Sequence, residues 1–241
     1  MLRAKVLNVI RDIRPEGSDR SDTADSASRG PDIADAEAVP IKPAVSVLML
    51  RDGDEGLEVF VQHRVSTMDF AAGVVVFPGG RVDPVDATTA PTIAVPDPQV
   101  HTSAWSDSTI AEDAEGWRVL LATAVREVEE ETGAVLDPVG LKPWANWVTP
   151  LGRPKRFDTY FYTIAAPELA AAQHQTTEAH TSEWRSVTGI LADEGAGRLK
   201  LMRPTFVLLR ELAEFSTAAE AITAERIIDP VRPEFPSNRG S

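Results

Sequence analysis

From Ile41 onward the apolar positions fall into runs that two periods explain. PAVSVLML (43–50) is apolar almost throughout and predicts a strand; LEVFVQHR (57–64) alternates, with Val59 and Val61 two apart. The turn-rich RDGDEG (51–56) between them makes the pair a hairpin. VVVFPGGRVDP (74–84) opens as a short buried strand and is broken by Pro78 and two glycines. Residues 85–115 contain three prolines and sustain no period, so they read as a long insertion. The helical period then takes over. In WRVLLATAVREVEEETG (117–133), Trp117, Leu120, Leu121, Ala124, Val125 and Val128 recur at threes and fours, and Gly133 suits the residue past the helix end. RFDTYFYTIAA (156–166) predicts another strand. A late helix is expected over 203–221, with Pro204 in its first turn. Interleaved strands and helices favour one α/β domain around a mixed sheet, over 41–230.

Composition changes the picture at the ends. Residues 14–40 are rich in Asp, Ser, Ala and Gly and hold no aromatic residue, so they bury too little to offset their ordering entropy. The expectation is a flexible acidic arm over 1–40, with a short helix at 2–13, and an irregular tail over 231–241. Hydrophobic residues make up 43% of the 241, enough for a core. The opening MLRAKVLNVIRDIRPEG lacks the apolar stretch of a secretory signal, and no run of about eighteen apolar residues appears. A soluble, cytoplasmic protein is expected.

The net charge of −13 argues against a nucleic-acid polymer or an anionic membrane as partner. It leaves room for a small anionic substrate where a metal ion offsets the charge. With no cysteine, a disulfide framework, a thiolate zinc site and a cysteine nucleophile are all excluded.

The charge is concentrated in REVEEETGAV (126–135). At 100° per residue, with Glu127 at zero, Glu131 lies at about 40° and Glu130 at about 300°. These three carboxylates share one side, next to the apolar arc, whereas Glu129 points away at about 200°. Arg126 stands one turn before Glu130 and can pair with it. Three carboxylates on one face meet the need of a hard divalent cation for oxygen ligands. They also match an ordinary solvated helix end. The loop FPGGR (77–81) favours the first reading, because its glycines allow close approach of backbone to a ligand.

This loop and helix resemble the Nudix hydrolases, whose signature is G-x5-E-x7-R-E-U-x-E-E-x-G-U with U apolar. Arg126, Glu127, Val128, Glu130, Glu131, Gly133 and Ala134 match its second half, and Gly79 and Gly80 its opening. The resemblance implies an α/β/α sandwich and Mg²⁺-dependent hydrolysis (Mn²⁺ as the substitute) of a diphosphate linked to another moiety. It implies Gly80, Glu127, Glu130 and Glu131 as metal ligands, Arg126 as their holder, Glu178 as a base or further ligand, and Phe77, Gly79 and Gly80 beside the substrate. One position departs: eight before Arg126, where a glutamate belongs, stands Arg118, with Asp83, Glu112 and Glu115 as the substitutes in view.

FVQHRVSTMDFAAGVVVFPGG (60–80) also resembles, in part, the extra motif of the family's coenzyme A diphosphatases. Asp69 stands where that motif has its second arginine. FPGGRVDPVD, the insertion, NWVTP and RFDTYFY resemble the branch that carries a long insertion within the signature. That branch implies coenzyme A or acyl-CoA as substrate, giving 3′,5′-ADP and phosphopantetheine, with Arg64, Arg153, Lys155 and Arg156 as phosphate contacts. The alternatives are an ADP-ribose or dinucleotide diphosphatase and a Nudix-fold binding or regulatory protein without catalysis. The insertion is expected over the site as a lid. A homodimer is the family's expectation for assembly.

Overall fold

Strand β1 (Ile41–Gly53) reads as a continuous apolar run because helices cover both faces of the sheet it centres. The computed structural model describes residues 39–64, 74–166 and 179–232. The N-terminal arm to residue 38, Asp69, Glu178, the Arg64 side chain and the tail from 233 lie outside the described residues.

β1 turns at Gly53–Gly56 into antiparallel β2 (Gly56–Arg64), the expected hairpin. The glycine-broken run supplies β3 (Val74–Val76) on β2 and β4 (Gly79–Arg81) on β1. β5 (Lys142–Val148) and β6 (Arg156–Ala165) pair antiparallel, and β6 lies parallel to β1 with Ile41 opposite Arg156. β7 (Ala179–Ser186) pairs with β2, and β8 (Lys200–Leu201) runs parallel to β3. The order β5-β6-β1-β2-β3-β8, with β4 on β1 and β7 on β2, is a mixed eight-stranded sheet.

One face carries α3 (Gly116–Thr132), whose Trp117, Leu120, Leu121, Ala124 and Val128 pack on Val45, Val47, Met49 and Phe60. Gly133 ends it at φ 72°, where a side chain would be strained. The other face carries α4 (Val187–Gly195), α5 (Arg203–Leu212) and α6 (Ala218–Thr223) over Leu48, Leu50, Val59 and Val61. The result is the expected α/β/α sandwich. The late helix, however, is two. Ala213–Ser216 interrupts it, and the Thr217 side chain accepts from the Glu220 amide to start α6.

The insertion is structured. It holds α1 (Pro84–Thr89), a 3-10 turn at Ala90–Thr92, α2 (Gln99–Ala104) and tight turns up to α3. Its Trp105, 2% exposed, enters the α3-side core; its indole N–H donates to Tyr162 Oη at 3.0 Å and its ring meets Tyr160 and Tyr162 edge-on. Thr109 donates to Asp158 Oδ2 at 2.5 Å. The segment expected as a lid is therefore packed into the core by large aromatic contacts, and its first residues also border the site. No described helix is long and apolar enough to cross a membrane.

Candidate functional site

Gly79 and Gly80 bring the β4 backbone against the last two turns of α3. A Cβ on Gly80 would stand 2.3–2.5 Å from the carboxylate atoms of Glu127. Only glycine admits that carboxylate against the strand. Gly79, at φ 147°, has its missing Cβ 2.2 Å from the Val45 carbonyl oxygen, and its N–H donates to Glu131 Oε2 at 3.0 Å. The loop thus holds two of the three expected carboxylates, one through open space and one through a hydrogen bond.

Arg126 holds the third, Glu130, and Glu127 as well. Its Nη1 donates to Glu127 Oε1 at 2.9 Å and to Glu130 Oε2 at 3.2 Å, while its Nη2 donates to the Arg81 carbonyl at 3.1 Å. The fork closes on Asp86, with Nε to Oδ1 at 2.7 Å and Nη2 to Oδ2 at 2.9 Å. Such a bidentate pair fixes the plane of the guanidinium as well as its place.

Asp86 is the functional residue that reasoning from the sequence missed. It is 1% exposed and also accepts from the Thr123 hydroxyl at 2.9 Å and the Asp83 amide at 2.8 Å. The partner of Arg126 is therefore none of Asp83, Glu112 and Glu115. Six positions forward from Gly80, the spacing G-x5 lands on Asp86; the extra residues that break the signature come after that position, so counting back from Arg126 reaches Arg118 instead. Arg118 has another task. Its guanidinium donates to the Ile93 carbonyl and to Glu115 and lies over the Trp117 ring, which ties the insertion to α3.

The electrostatics differ between the two acids nearest Arg126. Burial alone would raise the Asp86 carboxyl, but the bonds from Arg126, Asp83 and Thr123 outweigh it and hold it below the ordinary value. At Glu127 burial is the largest influence and prevails: despite Arg126, its carboxyl sits above the ordinary value, pushed further by Glu130 and Asp86. One guanidinium offsets one negative charge, and three carboxylates share it.

Glu127, Glu130 and Glu131 offer hard oxygen donors beside a glycine loop, and the space that a Gly80 Cβ would fill belongs to one of them. In chemistry and placement these residues fit a divalent metal ion. In the present arrangement no three His, Asp or Glu groups among the described residues converge on one point. Glu127 and Glu130 turn to Arg126 and Glu131 to Gly79. Glu130, 57% exposed, has room to swing. Glu129 is exposed, as its angle on the helix required. On the far side of Arg126 a cavity of about 430 Å³ opens between α1 and α3, bordered by Asp86, Ile93, Val125 and Glu130.

The expected substrate contacts fare unevenly. Phe77 is buried with Leu48 and Val59 in the core on the opposite face, where it anchors the loop. Arg156 is 9% exposed and donates to the Thr149 carbonyl at 3.2 Å, which ties the start of β6 to the residue after β5. Arg153 and Lys155 are exposed in the β5–β6 turn. Arg64 and Glu178 cannot be compared, since the Arg64 side chain and all of Glu178 lie outside the described residues.

No protein-family profile matches the chain. A Caenorhabditis elegans relative named nudix hydrolase 7 is 24% identical over 167 residues, covering 65% of this chain. The chain spans 56% of that relative's length. The crystal structure of a NUDIX hydrolase from Alicyclobacillus acidocaldarius superposes with a TM-score of 0.68 at 25% identity, over 79% of this chain and 99% of the other. A MutT NUDIX hydrolase from Burkholderia pseudomallei is more distant, with a TM-score of 0.46 and 15% identity over 72% of this chain and 98% of its own. The chain therefore has the fold of the Nudix hydrolases and is similar to them in sequence.

Proposed function

We propose that this protein is a Nudix-type hydrolase that cleaves the diphosphate of a nucleotide-linked small molecule, with coenzyme A or an acyl-CoA as the preferred substrate. The observation that carries the reading is the cluster itself. Glu127 and Glu131 of α3 lie against a Gly-Gly strand that has room for their carboxylates, and Arg126, held by a bidentate pair with Asp86, braces Glu127 and Glu130. A solvated helix end needs neither the glycines nor the brace.

Glu127, Glu130 and Glu131, with Gly80, are the ligand set for Mg²⁺ or Mn²⁺, which would screen the diphosphate and polarise its oxygens. The chain's own residues do the rest. Arg126 fixes the two carboxylates it bonds, and Asp86 fixes Arg126. Gly79 fixes Glu131 through its N–H. Arg153 and Lys155, exposed and cationic, are the candidates for phosphate contact together with Arg64; Glu178 remains a candidate base.

The coenzyme A preference rests on the sequence likeness of 77–86, the insertion, 146–150 and 156–162 to the inserted branch of the family. Chromatography of the products from coenzyme A, ADP-ribose and NADH, each with Mg²⁺, tests it. Release of 3′,5′-ADP from coenzyme A above turnover of the other two supports the reading. Turnover of ADP-ribose with coenzyme A inert overturns the substrate while keeping the chemistry. Binding without cleavage of any of the three would favour a ligand-binding protein.

A further inference from the structure

Buried polar atoms without partners are rare, because each leaves the desolvation of its group uncompensated. Three occur together on the sheet face that carries α3. Gln62 Nε2, Ser182 Oγ and Trp184 Nε1 are buried and have no hydrogen-bond partner among the described residues. Gln62 as a residue is 4% exposed. The register explains why they are neighbours: Gln62 stands opposite Ser182, and Phe60 opposite Trp184, on the antiparallel pair β2–β7. Residues two apart on a strand share a face, and directly opposed residues share it too. Phe60 packs in the core cluster that holds Val128 of α3, which assigns the face.

The same register leads from the group toward the loop that holds Glu131. Gln62 is also paired with Val76 of β3, from which the chain runs through Phe77 and Pro78 to Gly79, the donor to Glu131. From Phe60 to Gln62, β2 moves one rung from the helix core toward that loop. None of the three groups is charged, so together they match a neutral acceptor better than a phosphate dianion. They present an amide N–H, a hydroxyl and an indole N–H. The indole ring already meets Phe60 in a T-shaped contact and the Arg51 guanidinium at 4.5 Å, which leaves its N–H as the function without a partner among the described residues.

We propose that Gln62 and Ser182, with Trp184 one rung further along, form a neutral donor platform that binds an acceptor-bearing, uncharged group of the substrate beyond its diphosphate. A nucleobase and the amides of a pantetheine arm both have that chemistry: carbonyl or ring-nitrogen acceptors on a neutral frame. This inference rests on the diphosphatase reading for the identity of the ligand, while the platform itself follows from the orphaned atoms. A bound acceptor supplies partners to these groups, and an analogue that lacks the acceptor forgoes them, which gives selectivity on binding.

The test reads binding rather than turnover. Uniformly ¹⁵N-labelled protein is titrated separately with 3′,5′-ADP, phosphopantetheine and inorganic phosphate. The Trp184 indole N–H and the Gln62 side-chain amide are followed, assigned through Trp184→Phe and Gln62→Leu. The expected result is that one organic half moves both signals and phosphate moves neither. Movement by 3′,5′-ADP identifies the base as the occupant, and movement by phosphopantetheine identifies the amide arm. Gln62→Leu, or Ser182→Ala should the first fail to fold, weakens that probe about tenfold, the worth of roughly one hydrogen bond. Unmoved signals with both halves, movement by phosphate alone, or undiminished affinity in the variants would overturn the proposal. A protein that hydrolyses coenzyme A with both signals still would sink the platform alone, and a silent enzyme whose signals move would sink only the hydrolase reading.

Discussion

Gly80 and Asp86 show how much of the site depends on single atoms. At Gly80 the conflict created by a methyl group is with the end of a flexible side chain, so the fold can survive it while the carboxylate cannot stay. Gly80→Ala is expected to retain its unfolding midpoint within a few degrees and to lose diphosphatase activity at least about tenfold, as thermal melts beside initial rates would show. Asp86→Asn is a different kind of change. It leaves Arg126 without the anion that orients it, and breaking a buried pair costs about 3 kcal/mol. A denaturant titration should show that loss together with a fall in kcat, because Glu127 and Glu130 are then held by an unbraced guanidinium. Equal stability of Asp86→Asn and the unchanged protein would contradict the role given to the pair. The three glutamates and Arg126 were legible from spacing alone, since a helix converts i, i+3 and i+4 into one face. Asp86 lay within reach of the same spacing counted from the loop, and the insertion hid it from the count made along the helix.

At the scale of elements, α3 buries a wider arc than its apolar stripe demands. Ala122 and Thr123 are buried as well, because α1 and the start of the insertion cover the flank that a two-layer reading leaves open. That cover was not legible, since residues 85–115 show no period and their order comes from distant partners, Tyr160, Tyr162 and Asp158. Trp105→Ala is expected to cost about 4 kcal/mol, in the range for emptying a buried indole site. Excision of 88–110 should abolish cooperative unfolding rather than merely alter KM. A deletion mutant that melts normally would restore the lid. The break in the late helix was legible after all: Thr217 and Glu220 have the spacing of a capping box, and the Glu220 side chain also accepts from the Ser216 amide at 2.8 Å.

The whole molecule couples these parts through one sheet whose two faces are filled by different segments, and pH should reveal one of the couplings. His101, in the insertion, is stacked on Trp117 at 5.2 Å and 3% exposed. Burial first, and Lys142 second, lower its pKa to about 4 against the opposing pull of Asp97. The unfolded chain, titrating near 6.5, takes up the proton before the folded one does. The contribution is therefore complete above about pH 6.5 and is lost as the pH falls towards 4, to a total of about 3 kcal/mol. Denaturant midpoints for His101→Phe should fall less steeply over that interval than those of the unchanged protein. At this scale the α/β/α layering was legible from the two periods alone. The mixed strand order was not, because pairings such as β1 with β6 join residues more than a hundred positions apart and leave no local mark.

The central claim is that the glutamates of α3 serve a metal-dependent diphosphate hydrolysis, and one measurement tests it most directly. It is the rate of 3′,5′-ADP release from coenzyme A with Mg²⁺, with the metal chelated, and in Glu130→Gln, an exposed position where folding is spared. The account predicts release only in the first case, with chelation and the substitution each lowering the rate by at least about a hundredfold. Release that continues unchanged in Glu130→Gln, or without the metal, would contradict it.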